Sequence, residues 1–211
     1  MGIVKRNQAS VVYRSSGTAA ALPEKALIRS SAELGAQGRR VVRTLAAAIT
    51  EIVNATTDDE RRLCIRVGKV LANVLTDISW ISESLRQPVP RSYRRELLYE
   101  APDAAFSIGC FVWAPGQQTP IHDHNGWSVV GCALGALESV PFRATSAGGL
   151  EAGQPEIVRA GHCFWAQAEQ DDIHRLGAFG LATAVSVHVY GSAFADASRR
   201  KYLMDGTVMS P

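Results

Sequence analysis

The sequence predicts a mainly β protein, a small β-barrel preceded by N-terminal α-helices. Two observations carry this expectation. Before Pro90, apolar residues recur at spacings of three and four, the period of a helix with one buried face. After Pro90, short runs rich in Val, Ile, Phe and Trp are separated by Gly, Pro, Asn and Asp, the texture of an all-β barrel or sandwich.

The elements follow in order. Residues 1–30 mix polar residues with Ala-rich and Pro-containing turns and read as a loosely ordered arm. From about Ser31 a first helix places Val41, Leu45, Ala48, Ile49 and Ile52 on one face. In "ATTDDERRL", Thr57 followed by Glu60 has the form of a capping box. The second helix aligns Leu63, Val67, Val70, Leu71, Val74 and Ile78, with Leu85 at its far end. It must stop near "QPVP", because Pro88 and Pro90 remove backbone donors and extend their predecessors. Strands are expected in "FSIGCFVW", "SVVGCAL", "LESVPFRA", "PEIVRA", "HCFWAQ", "IHRLGA" and "LATAVSVHVYG". The stretch "ADASRRKYLMDGT" is an edge strand or a loop. The chain thus divides into an arm (1–30), a helical portion packed on the barrel (31–90) and the barrel itself (91–211).

Composition narrows the function. The 211 residues are 46% hydrophobic and 20% charged, ordinary globular usage for a chain that can bury a core. A net charge of +2 argues against a polyanion surface, so nucleic acid is not an expected partner. No apolar run is long enough to span a membrane, and the first residues lack the apolar core of a secretory signal. Cys64, Cys110, Cys132 and Cys163 form no CxxC pair and read as reduced core residues. These features fit a cytoplasmic protein, a monomer or weak homo-oligomer.

The chemistry-bearing stretch is "PIHDHNGW". Only 5 histidines occur in the chain, and two stand one residue apart. In a strand, residues i and i+2 leave the same face, so His122 and His124 point together and Asp123 points away. That is the geometry of two ligands to one metal ion. His174 in "DDIHRLG" stands at the start of a later strand. In "AVSVHVYG", Ser186, His188 and Tyr190 alternate along one strand and share a face. Such a line can relay hydrogen bonds and present a phenol at a polar site, or it can be the polar face of a half-exposed strand. Asp171 and Asp172 read as turn residues, and Trp127 as either a pocket wall or a core side chain.

A Gly-x5-His-x-His element at Gly116, His122 and His124, with His174 later, resembles the cupin superfamily. The usual pattern adds a Glu after the second His, and here Ser128 and Val129 stand instead. Three neutral imidazoles leave a divalent ion its full charge and open positions, which suits a thiolate. With "FVWAPGQQTPIHDHNGW", "DDIHRL" and "SVHVYG" in this order, residues from about 90 to 195 resemble the cysteine dioxygenase family of thiol dioxygenases, on the side of its bacterial 3-mercaptopropionate members.

The resemblance implies a cupin-type jelly-roll barrel and an Fe(II) cofactor held by His122, His124 and His174. It implies an outer triad of Ser186, His188 and Tyr190. Its Tyr-x-Arg element falls on Tyr93 and Arg95, which would meet a substrate carboxylate. A second arginine pattern of the family falls on Arg199 or Arg200. Where crosslinked relatives carry a cysteine, this chain has Val129, and Cys132 lies on the other strand face, so no thioether to Tyr190 is expected. The implied reaction adds both atoms of O2 to a small carboxylate thiol, first L-cysteine, then 3-mercaptopropionate, with mercaptosuccinate as a use for two arginines. Two other classes stay open: a non-catalytic metal-dependent cupin sensor, and a zinc or nickel cupin with isomerase or hydrolase chemistry.

Overall fold

The structure, a computed structural model, describes residues 34–56, 59–167 and 172–209. The expected arm lies outside these residues. Helix α1 (Ala36–Asn54) buries Val42, Leu45, Ala46, Ile49 and Ile52; of the expected stripe, Leu45, Ile49 and Ile52 are buried, while Val41 and Ala48 lie half-buried at its edges. Helix α2 (Glu60–Val74) is capped by Asp59, whose carboxylate accepts the Arg62 N–H at 2.9 Å. Thr57, the cap expected from the sequence, lies outside the described residues.

Helix α2 ends well before the prolines that were expected to stop it. The Trp80 indole N–H donates to the Val74 carbonyl at 2.9 Å, satisfying one of the open carbonyls of the last turn. Asp77 then accepts the Ser79 N–H at 2.8 Å and fixes a turn. Leu85 is fully buried, but from a separate 3-10 turn, Ser84–Arg86.

Among the described residues twelve strands follow: β1 (Arg94–Glu100), β2 (Ser107–Trp113), β3 (Ile121–His124), β4 (Ser128–Leu134), β5 (Ala136–Ala144), β6 (Leu150–Ala152), β7 (Glu156–Arg159), β8 (Cys163–Ala166), β9 (His174–Ala178), β10 (Ala184–Tyr190), β11 (Ser198–Tyr202) and β12 (Val208–Met209). They form two antiparallel sheets. One has the order β1-β2-β10-β4-β8. The other runs β12-β11-β3-β9-β5, with β6 and β7 both pairing with β5. Neighbours that are distant in sequence join the curled sheets into a half-barrel, preceded by the two helices. Strand β1 was not foreseen, because "RRELLYE" carries charges at most positions. A register shift between Leu97 and Tyr99 lets Leu98 and Tyr99 both be buried.

The central strand β10 divides the protein. Val185, Val187 and Val189 belong to one apolar cluster with Ile49, Leu71 and Leu75 from the helical segment. Ser186, His188 and Tyr190 lie on the opposite, inner face. Every residue of β10 is buried, so the reading of a half-exposed strand does not hold: the helices cover the face that water would otherwise reach. The barrel interior is lined by Phe111, Trp113, Val130, Cys132 and Leu176.

All four cysteines are free, and three of them are buried. Burial pushes the Cys110 thiol up to about 12, so it is protonated and unreactive near neutral pH. No helix among the described residues is long and apolar enough to cross a membrane.

Leu71 is fully buried where α2 meets β4 and β8. Truncating it to Ala should cost about 2–5 kcal/mol of stability, read from the urea midpoint, and leave metal binding in place.

Candidate metal centre

Antiparallel pairing sets His122 of β3 directly opposite His174 of β9. The period-two rule adds His124 on the same face of β3. The ligand atoms of the three residues all lie within 4.8 Å of one another, and all three side chains are buried. Their rings meet edge to face at 4.7–4.9 Å between centroids. This group is able to hold one metal ion.

The partners of the rings decide which nitrogen faces the centre. His122 Nδ1 lies 3.0 Å from the Pro120 carbonyl, which can only accept, so that nitrogen carries the proton. The Nε2 lone pair is left for a metal. His124 Nδ1 likewise donates, at 2.5 Å, to Asp172 Oδ2. Burial, reinforced by the neighbouring His124, pushes the His122 pKa down to about 3, so its imidazole is neutral as a ligand must be. The donor set therefore fits a divalent ion that accepts imidazole, a class that includes Fe(II).

Asp172 is not the turn residue the sequence suggested. It is 7% exposed, and its second oxygen lies 3.6 Å from His174 Nδ1. Only its position two residues before His174 was available as a signal.

A second line of groups ends at the same place. Trp113 Nε1 donates to Ser186 Oγ at 2.9 Å. Ser186 Oγ lies 2.8 Å from His188 Nε2, and His188 Nδ1 lies 2.8 Å from the Tyr190 hydroxyl. Indole only donates, so Ser186 accepts there. Burial holds the His188 pKa well below 6.5, so the ring is neutral and carries a single N–H, which its tautomer directs either to Tyr190 or to Ser186. In the Nδ1–H tautomer the ring donates to the phenol oxygen and the Tyr190 hydrogen is directed away from the line. Burial also raises the Tyr190 pKa, so the phenol stays protonated. Trp113, the anchor of the relay, was not singled out in the sequence.

Arg95 faces the same small cavity as the three histidines, His188 and Tyr190. Its guanidinium carbon lies 5.4 Å from the Phe111 ring centre and 4.9 Å from that of Phe194. None of its N–H groups has a hydrogen-bond partner among the described residues. Phe194 can approach because residue 109 is glycine: a Cβ there would come within 2.4 Å of its ring. Tyr93 lines the cavity too and stacks on Trp113 at 4.5 Å.

Other expected residues lie elsewhere. Trp127 does not wall the cavity. Its ring is in the helix-side core and covers Gly191, because the turn at Gly126 (φ +110°) turns it away from the barrel interior. Arg200 is held by Asp123, which takes its backbone N–H at 2.7 Å and its side chain at 2.7–2.9 Å. Tyr202 donates to the same carboxylate at 2.9 Å. Arg200 is thus on the outer face of β3, where period two puts Asp123. The Arg199 side chain lies outside the described residues. Ser128, not Val129, is directly opposite Tyr190, and Cys132 is opposite Ser186. Four residues along a strand is about 13 Å, beyond thioether reach.

No family model matches the chain. Solved structures similar to it include an oxalate oxidase in complex with the substrate analogue glycolate, 20% identical with a TM-score of 0.41 over 53% of this chain and 58% of that one. An uncharacterized conserved protein with a double-stranded β-helix domain from Klebsiella pneumoniae is 19% identical, with a TM-score of 0.38 over 49% of this chain and 79% of that one. A cupin superfamily protein from Desulfitobacterium hafniense is 14% identical, with a TM-score of 0.39 over 50% and 83%. The chain spans a little over half the length of the oxalate oxidase.

The two depressed histidines fix a pH dependence. Their ordinary value is 6.5. Below it the unfolded chain binds protons that the folded chain refuses, so stability falls as pH drops from about 6.5 toward 3. The metal-free protein should show a lower urea midpoint at pH 5.5 than at pH 7.5; equal midpoints would contradict the buried neutral histidines.

Proposed function

We propose that the protein is a thiol dioxygenase of the cysteine dioxygenase type, acting on a small thiol that carries one carboxylate. The observation that carries this reading is the cavity itself. A three-histidine set, an arginine with unpaired N–H groups and a phenol oriented by a buried relay all face one small space.

Iron(II) held by His122, His124 and His174 would supply a Lewis acid that favours the thiolate form and a redox partner for dioxygen. The chain's own residues do the rest. Arg95 offers two parallel N–H groups to the substrate carboxylate. Phe111 and Phe194 pack against the guanidinium without using its donors. The apolar walls at Val130 and Leu176 exclude water around the sulfur. Tyr190 donates its hydrogen toward the oxygen atoms added at sulfur, and His188, fixed by Ser186 and Trp113, keeps that hydrogen aimed. The reaction balances as R–SH + O2 → R–SO2H. The O–O bond breaks, two S–O bonds form, and sulfur supplies the four electrons that dioxygen takes up.

L-Cysteine and 3-mercaptopropionate are the two leading substrates. Among the described residues the cavity has no carboxylate to meet an ammonium group, which favours the amine-free thiol unless the amine also binds the metal. A dicarboxylic thiol such as mercaptosuccinate would need a second cation, and Arg200 is engaged by Asp123. The cytoplasm is the fitting compartment for such a reaction.

Oxygen uptake by the iron-loaded protein, assayed with all three thiols, tests the reading. One sulfinate should form per O2 consumed, and no turnover of any small thiol would overturn it. Arg95→Gln should lower kcat/KM by about 10- to 100-fold, the worth of a charge-assisted pair, mainly through KM. Tyr190→Phe should lower sulfinate formation and leave iron content unchanged; undiminished turnover would remove Tyr190 from the mechanism.

A further inference from the structure

Asp172 stands behind the histidine set and has no role in the reaction described above. It approaches two of the three imidazoles from the side away from the centre. One oxygen takes the His124 Nδ1 proton at 2.5 Å. The other lies 3.6 Å from His174 Nδ1 and has no hydrogen-bond partner among the described residues. The side chain is buried, so water does not readily serve that second oxygen. His122 is held differently, by a neutral backbone carbonyl.

A buried carboxylate with one oxygen unpartnered destabilises a fold, so packing alone gives no reason for an acid here. A cation at the centre supplies one. Three neutral imidazoles carry no charge to balance a divalent ion. A carboxylate hydrogen-bonded to an outer nitrogen fixes that ring, makes it a better donor and places negative charge beside the ion.

We propose that Asp172 is a positioning residue for the metal centre: one carboxylate that orients His124, stands beside His174 and supplies the negative charge the three imidazoles lack. This rests on the three histidines being a metal site, and the test separates the two claims. Zinc is the probe. Its affinity is measured by competition with a chromophoric chelator for the wild type, Asp172→Asn and Asp172→Ala. Asn keeps the volume and an acceptor oxygen but loses the charge; Ala loses both. Zinc affinity should fall about 10-fold for Asn and toward 100-fold for Ala.

The metal-free form separates positioning from a merely structural role. The urea midpoint of metal-free Asp172→Asn should equal or exceed that of the wild type, because a buried charge is lost. A structural role would lower that midpoint and leave zinc affinity alone. In zinc-loaded wild type, the His124 Nδ1 proton should give a far-downfield imidazole resonance that is absent from Asp172→Ala. If the Ala variant does not fold, the Asn variant carries the test. Wild-type affinity in the variants would overturn the role of Asp172 alone. Failure of the wild type to bind zinc or any other divalent ion would overturn the metal site with it.

Discussion

The pairing of β3 with β9 at His122 and His174 is the contact on which the site depends. It joins ligands far apart in the chain, and its register is unforgiving. A slip of one residue would turn His174 to the outer face and bring Ile173 or Arg175 inward. Several devices hold this short pairing. Asp123, pointing outward between the two histidines, ties β3 to β11 through Arg200 and Tyr202. Thr119 accepts the Leu176 N–H and returns its own N–H to the Leu176 carbonyl. The local sequence sets which side chains point inward, and these longer contacts hold the strands in register.

The second constraint is that β10 has no face exposed to water. Its valines pack on the helical segment, and its Ser, His and Tyr must be satisfied inside the barrel. Buried polar side chains are costly unless paired, and the Trp113–Ser186–His188–Tyr190 line pairs each with the next. With His188 protonated on Nδ1 the line runs toward Tyr190 and leaves the phenol hydrogen aimed away from it. The helices, which touch no ligand, thus contribute to the site by keeping β10 dry.

What could be read from the sequence is what period and punctuation encode. The histidine pair and the Ser-His-Tyr face followed from alternation alone, as did strands β4, β5 and β10. The apolar stripe of α1 was legible at Leu45, Ile49 and Ile52, but Val42 and Ala46 complete it in place of Val41 and Ala48. What escaped was set by contacts between distant parts of the chain. Asp172 gains its meaning from His124, Trp113 from Ser186, and Arg200 from Asp123, and no local pattern announces those partners. Helix α2 stops where the Trp80 indole reaches the Val74 carbonyl, not where the prolines would have forced an end. For Trp127 the sequence left a pocket wall and a core side chain both open, and the glycine turn carries it to the helix-side core.

The central claim is that one cavity joins a three-histidine metal site to an arginine that receives the substrate's acid group. An anaerobic crystal structure of the iron-loaded protein with 3-mercaptopropionate tests it most directly. The account predicts an ion on the Nε2 atoms of His122, His124 and His174, with the ligand sulfur beside it and its carboxylate within hydrogen-bond distance of Arg95. An ion bound elsewhere, or a carboxylate seated away from Arg95 with the cavity arginine still unpaired, would contradict it.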